Sequence, residues 1–490
     1  MRTAVPHTDT IDPAGMRVIW LLLVAAFVAI LNETTMAIAI PQLNITLGIP
    51  EQQGQWFTSA FMLTMAVIIP TTGILLQRFT TRQVFLAAII TFTLGTAICL
   101  MANGFLMLLI GRIVQACGTG IMMPLLMTTM MNVVPSHMRG RMMGQVGMVM
   151  SLAPAIGPTL SGVVLDHLGW RYLFGIVLPI AIIAMLLGAK WMTNLGETTK
   201  ARIDAFSVLL SALGFGGIVF GLSQISGGHG GGSSDLGSLP MVALVVGIVS
   251  LAVFVWRQLS LQKTESSLLD LRVFNSRNFL VAVVIMTVVA FAMLGTISML
   301  PLIFQTVIHL DATQSGLVLL PGSLLMGLLG PVMGRIYDAR GPRVLLIPGT
   351  ILVGIALLSY ATFIGPDTPV ALLVAIQMTL SLGLAGSFTP LFSASLGSLT
   401  RKLYSHGSAV LNTLQQVAGA AGTALLIGIY SSALQSGVAG GTEAATAGAA
   451  GAHSAFLLGA GIAVIAIVMA WFIRKPEETG EEGGMPPMAH

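Results

Sequence analysis

The sequence predicts an all-α polytopic membrane protein: fourteen transmembrane helices, arranged as two pseudo-symmetric six-helix bundles with an inserted central helix pair. Three observations predict it. Of 490 residues, 55% are hydrophobic and only 8% charged, against about 25% charged in an ordinary soluble domain. The chain divides into fourteen apolar runs of membrane-spanning length, about 20 residues being needed to cross a bilayer. And short patterns recur at a near-constant offset along the chain.

The runs fall at roughly 17–40, 55–76, 83–102, 105–132, 142–165, 172–191, 205–225, 239–256, 279–301, 315–336, 344–364, 369–396, 406–434 and 453–473. Their bounds are charges, Gly/Pro or polar clusters. Placing the N-terminus in the cytoplasm and alternating sides puts 20 of the 22 Lys and Arg residues on the cytoplasmic side. The exceptions are Arg171 in an external loop and Arg112 inside a helix. This bias predicts an even number of spans with both termini inside. Residues 1–16 read as a cytoplasmic tail without a cleavable leader. Residues 474–490, acidic and then Pro/Gly-rich, read as a disordered cytoplasmic tail. Ser226–Ser238 and Gly437–Gly451 read as flexible external connections, with His229 a solvated loop residue.

The repeat is seen in three places. Gly73, Arg78 and Arg82 correspond to Gly334, Ala339 and Arg343 at an offset of 261. Pro124 and Pro390 correspond at 266, and Gly157 and Gly422 at 265. Two six-helix halves account for 17–200 and 266–473. The excess offset leaves room for one helix pair at 201–265.

Composition also excludes classes. The net charge of +4 comes with no basic, aromatic-interleaved helix, so nucleic acid is not an expected partner. Cys99 and Cys117 both sit in apolar runs and form neither a disulfide framework nor a metal-ligand spacing. No G-x-x-x-x-G-K-[ST] and no H-E-x-x-H occurs, so neither ATP drive nor zinc chemistry is expected. The chain reads as no enzyme, with no cofactor and no metal.

Glu33 is the one acidic residue well inside a membrane-length run. A carboxyl at that depth persists mostly where it faces a bundle interior or a water-filled cavity. Arg112 lies at a similar depth in the fourth run. Both are seven residues from the outer end of their runs, or about 10 Å at ~1.5 Å per residue. The two groups are expected to share a cavity; an Arg satisfied by carbonyls or reaching outward is the alternative. The fifth run carries Gly144, Gly147, Pro154, Gly157, Pro158 and Gly162, small residues that permit close helix contact, and a proline that removes a backbone donor. The thirteenth carries Gly407, Asn412, Gln415, Gln416, Gly419 and Gly422. Its three amides need either partners or water.

These residues resemble the major facilitator superfamily, in particular its fourteen-helix drug:proton antiporters, over about 19–473. The segment Leu31-Asn32-Glu33-Thr34 is similar to the family's L-D-x-T helix-1 pattern, with the acid one residue late and Asn32 in its usual place. This variant resembles lincomycin-type resistance exporters. Arg112, Gln115, Gly118 and Gly120 resemble the intramembrane R-x-x-Q-G-x-G-x-G segment, with Ala116 for a Gly. Gly157, Pro158, Ser161 and Gly162 resemble the antiporter motif G-P-x-x-G-G. Gly73, Arg78 and Arg82 resemble the loop motif G-x-L-x-D-R-x-G-R-R, with Gln77 at the Asp and Thr80 at a Gly. Gly334, Asp338, Gly341 and Arg343 keep it better in the second half.

The resemblance implies proton coupling by Glu33, Arg112 and Asn32, and a substrate path lined by Thr34, Gln115, Asn412, Gln415 and Gln416. It implies gating by Gly73, Arg78, Arg82, Gly157, Pro158, Gly334, Asp338, Gly341 and Arg343, with the first-half latch weakened by Gln77. The expected activity is export of amphipathic drugs in exchange for protons, by rocking of the two halves, in a bacterial inner membrane. Protons, small amphipathic substrates and membrane lipids are the expected partners, with a periplasmic adaptor also conceivable. Export of a metabolite or lipid, uptake by symport, and a non-transporting receptor or scaffold are the alternatives.

Overall fold

A computed structural model describes residues 13–194, 204–227, 239–262 and 267–476. The first half comprises α1 (Pro13–Leu47), α2 (Glu51–Arg78), α3 (Thr81–Leu100), α4 (Phe105–Val133), α5 (Arg139–His167) and α6 (Arg171–Trp191). A hairpin of α7 (Ala205–Gly227) and α8 (Leu239–Leu261) follows. The second half comprises α9 (Arg277–Thr306), α10 (Ala312–Arg340), α11 (Arg343–Phe363), α12 (Val370–Gly397), α13 (Tyr404–Ala439) and α14 (Ala444–Ala470). All fourteen expected helices are present. Among the described residues, every one except α5 contains a segment long and apolar enough to cross a membrane.

Local chemistry explains several ends. Thr80 starts α3 with a reciprocal cap, its hydroxyl accepting from Gln83 N while the Gln83 side chain accepts from Thr80 N. Asp311 and Gln314 repeat the device at α10. Each satisfies donors that a helix start leaves open. Helix α10 stops at Gly341, whose φ of 81° suits a residue without Cβ.

Two of the expected boundaries shift furthest. α1 runs past its apolar stretch to Leu47. α14 starts at Ala444, so much of the expected loop at 437–451 is helix. Alanine is the strongest helix former, and Gly451 lets α14 lie against α13: a Cβ there would come 2.8 Å from the Tyr430 carbonyl oxygen. The Gly/Ser run at 228–238, with His229, and the tail at 477–490 lie outside the described residues. So do residues 1–12 of the expected N-terminal tail, while α1 already begins at Pro13.

Packing repeats between the halves. α1 lies against α5, α2 against α4, α3 against α4 and α6; in the second half α9 lies against α13, α10 against α12, α11 against α12 and α14. The halves meet along two seams, α5 with α10 and α2 with α13, supplemented by α4 with α13 and α5 with α12. Lipid tails are as apolar as leucine, so close packing of small residues holds such helices together. The α5–α10 seam is built this way: a Cβ on Gly144 would lie 2.7 Å from the Gly330 carbonyl carbon.

Helix α7 of the inserted hairpin packs on both α2 and α13, with Trp56 stacked on Phe220 at 5.9 Å. At the hairpin's basic end Arg257 grips Asp204 at 2.7 and 3.2 Å. Gln258 donates to Ser207 Oγ at 2.9 Å and accepts from Leu268 N and Leu269 N at 2.7 and 3.2 Å. The hairpin is thereby tied to the segment that leads into α9.

Candidate functional site

The site is built on α1, α2, α3 and α4. Arg112 of α4 is 0% exposed. Its Nη1 donates to Asn32 Oδ1 at 2.9 Å and to Gln115 Oε1 at 2.7 Å, and its Nε to the Phe57 carbonyl at 3.4 Å. Its guanidinium lies 4.1 Å over the Phe61 ring, where the ring's negative face attracts a cation. Gln115 passes the chain on, donating from Nε2 to Thr96 Oγ1 at 2.7 Å. Thr96 in turn donates to the Phe92 carbonyl at 2.7 Å. Arg112 Nη2 alone has no partner among the described residues.

Sequence spacing explains part of this. Residues 112 and 115 are three apart and share a helix face. Gly95 lets α3 close on α4 at this level, since a Cβ there would lie 2.6 Å from Gln115 Cα. The sequence offered no sign that Phe57, Phe61 and Thr96 would complete the cage, because each is an ordinary apolar-helix residue on another element.

Arg112 therefore meets the neutral Asn32, which is 1% exposed. Glu33, one step around the helix, is half-buried and forms no ion pair with Arg112 within 4 Å. One residue is ~100° of helix rotation, from 3.6 residues per turn, so only one of the two side chains can face α4. Thr34 turns its hydroxyl back to the Ile30 and Leu31 carbonyls at 3.2 and 3.0 Å. It also packs directly on Gly157 of α5, with no room for a Cβ there. Ser161, where the motif usually has Gly, donates to the Thr35 carbonyl at 2.9 Å. Glu33 is thus bracketed by neighbours fixed to α4 on one side and α5 on the other.

The other expected residues fall in separate places. Gln115 is locked inside the Arg112 network rather than exposed along a path. Asn412 of α13 is buried and donates to the Ser408 carbonyl at 2.9 Å. Gln415 is buried and Gln416 half-buried on the same helix. Pro158 belongs to α5.

Of the expected gating residues, Gly157 and Pro158 lie along α5 at the level of Thr34, and the others gather at the basic end. Asp338 of α10 accepts from Gly140 N and Arg141 N of α5 at 2.7 and 2.8 Å. A carboxylate on two open N–H groups at a helix start is favoured by both hydrogen bonding and the helix dipole. Gln77 reaches across the other seam, its Nε2 donating to the Lys402 carbonyl at 2.9 Å. The amide thus supplies a neutral latch where the family pattern has an acid. Gly73 meets His406 of α13, 2.8 Å from the position a Cβ would take. Gly334 closes on the Gly140 carbonyl. Arg82 and Arg343 act within their own halves, donating to the Ala189 and Ile473 carbonyls, each at 2.6 Å. Arg78 lies 5.8 Å from the Phe79 ring.

A family model described as Major Facilitator Superfamily matches residues 22–423. The chain belongs to the major facilitator superfamily. It is a membrane transporter, not an enzyme. It is 38% identical over 465 residues to the MFS-type transporter YcnB of Bacillus subtilis, covering 95% of this chain and 96% of that one. It is 40% identical over 458 residues to the lincomycin resistance protein LmrB of Listeria innocua, covering 92% and 95%. Among solved folds it is similar to the human organic anion transporter MFSD10, at a TM-score of 0.66, 14% identity and 94% and 100% coverage. It is likewise similar to the Escherichia coli fucose:proton symporter FucP, at a TM-score of 0.61, 14% identity and 94% and 100% coverage. A superfamily transporter thus carries its buried cation on α4 and its unpaired carboxylate on α1.

Proposed function

We propose that this chain is a proton-coupled exporter of amphipathic small molecules, lincomycin among those to be tested. It works in the bacterial plasma membrane with its basic end in the cytoplasm. The observation that carries the reading is Glu33: a half-buried carboxyl at membrane depth, without an ion pair, beside a buried Arg whose contacts are neutral. An acid without a salt-bridge partner can exchange its proton with a path that reaches it. Bonds across the seams at the basic end support a conformation closed on that side. In this cycle Glu33 takes a proton from the opposite side as cargo leaves. Rocking then opens the basic end, where proton release and cargo binding follow. Drug resistance among the relatives supports export, and the basic-end placement of Lys and Arg supports the orientation.

The test is Glu33→Gln in inside-out vesicles. Glutamine keeps the volume and hydrogen bonding but cannot carry the exchanged proton. Lincomycin-driven proton movement is expected to disappear, and resistance to fall to the level of cells without the protein. Proton movement equal to that of the parent chain would overturn the mechanism.

A further inference from the structure

A groove of about 300 Å³ runs between α1 and α6 toward their basic ends. Arg17, Trp20 and Val24 line it from α1, and Ile183, Leu187 and Trp191 from α6. These residues recur every three or four positions, so each set forms one face of its helix. The lining comes from the first half alone, which places the groove outside the seams between the halves, on the surface that meets lipid. Val24, Ile183 and Leu187 form its apolar inner stretch. Trp20 and Trp191, both exposed, flank it nearer the helix ends, with Arg17 at the rim.

Positive charge gathers at that rim. Arg17 and Lys190 are exposed there, and Arg82 of α3 reaches the same end of α6 through the Ala189 carbonyl. Neither α3, nor α6, nor α1 before Glu33 carries an acidic residue. An apolar slot, two indoles at the level of the headgroups and a cationic rim fit a phospholipid of net negative charge. The second half treats the matching place differently. There α9 and α14 stand where α1 and α6 do, and Asn278 lies 261 positions after Arg17. Asn278 Nδ2 donates to the Arg474 carbonyl at 2.7 Å, and its Oδ1 accepts from Arg474 N at 2.8 Å. A neutral amide thus ties the ends of that helix pair from within the chain, where the first half presents a cation beside an open groove.

We propose that the α1–α6 groove binds one anionic phospholipid of the cytoplasmic leaflet, its acyl chain along Val24, Ile183 and Leu187 and its phosphate between Arg17 and Lys190. The lipid bridges the ends of two helices, as Asn278 does in the second half. This site goes beyond the export reading and shares with it only the cytoplasmic placement of the basic end. It requires neither cargo nor proton transfer at Glu33.

The test titrates the purified full chain in detergent with dioleoylphosphatidylglycerol and counts bound lipids by native mass spectrometry. A first lipid is expected to bind tightly. Arg17→Gln with Lys190→Gln is expected to weaken it about thirtyfold, since each cation near an anionic headgroup contributes about fivefold. Arg335→Gln with Arg340→Gln removes the same charge from exposed positions on α10. That variant is expected to stay within about twofold, its cations being screened from the groove. Val24→Trp fills the slot on a face that already meets lipid, and is expected to remove the tight site with every charge in place. Unchanged affinity in the Arg17 and Lys190 variant, or in Val24→Trp, would overturn the proposal. So would an equal loss in the α10 variant, which would mark a general effect of surface charge. Equally tight binding of dioleoylphosphatidylcholine would also overturn it, as would displacement of the lipid by lincomycin, which would make the groove a doorway for cargo. If Glu33→Gln leaves proton movement intact, the export mechanism fails while this lipid count stands by itself.

Discussion

At the scale of single residues, the site turns on which of two adjacent side chains faces Arg112. Asn32 does, and Glu33 is left to the interior. The buried cation is held by two amide oxygens, a backbone carbonyl and a ring face, all of them uncharged. Such a cage depends on the planar fork of the guanidinium, which a lysine cannot reproduce. Arg112→Lys is expected to keep the protein in the membrane yet lower the initial rate of coupled transport about a hundredfold, from the loss of two or more charged hydrogen bonds worth roughly 1.5–3 kcal/mol each. A rate near that of the parent chain would show that charge alone suffices. The sequence made the carboxylate and the cation legible, along with their common depth. It did not show their relative facing, because depth counts residues along an axis and says nothing of rotation about it.

At the scale of elements, α5 is the helix through which the site and the seam communicate. Its middle touches α1 beside Glu33 through Gly157 and Ser161. Its start is capped by Asp338 from α10, and Gly144 holds it against Gly330. Asp338→Asn keeps one acceptor but turns an amide N–H toward the second backbone donor. The seam is expected to weaken by on the order of 1–3 kcal/mol. Cross-linking between cysteines introduced at the basic ends of α5 and α10 should fall accordingly. Undiminished cross-linking would show that glycine packing alone holds the seam. The motif residues of α5 stood out as a block in the sequence, but Ser161 read as a departure from it. Only its bond to the Thr35 carbonyl gives the hydroxyl a purpose. The expected loop before α14 failed for a related reason. A Gly/Ala run is flexible alone, and becomes helix where its small residues fit against α13.

For the molecule as a whole, the inserted α7–α8 hairpin is a strap across the α2–α13 seam, anchored at its basic end. The Arg257 guanidinium hydrogen-bonds the Asp204 carboxyl and, against a smaller effect of burial, holds it down at about 2, with further bonds from Ser207. A carboxyl lowered from 3.8 in this way stabilises the fold fully above pH ~4 and loses that contribution as pH falls toward ~2. The hairpin anchor is therefore expected to loosen in that window. Arg257→Gln should flatten the pH dependence of hairpin protease sensitivity between pH ~4 and ~2; an identical profile would assign the effect to another group. Asp204 and Arg257 lie at opposite ends of two helices, and nothing short of the hairpin itself makes them neighbours.

The sequence by itself determined the number of spans, their alternation, the twofold repeat and the rarity of the Glu33 carboxyl. Each follows from one-dimensional quantities: hydropathy over about 20 residues, the side on which Lys and Arg fall, and a constant offset. Tertiary structure alone decided that Asn32, not Glu33, meets Arg112, and that Gln77 replaces an ionic latch with an amide. These depend on helix rotation and on contacts between residues 80 and 325 positions apart, and hydropathy holds no record of either.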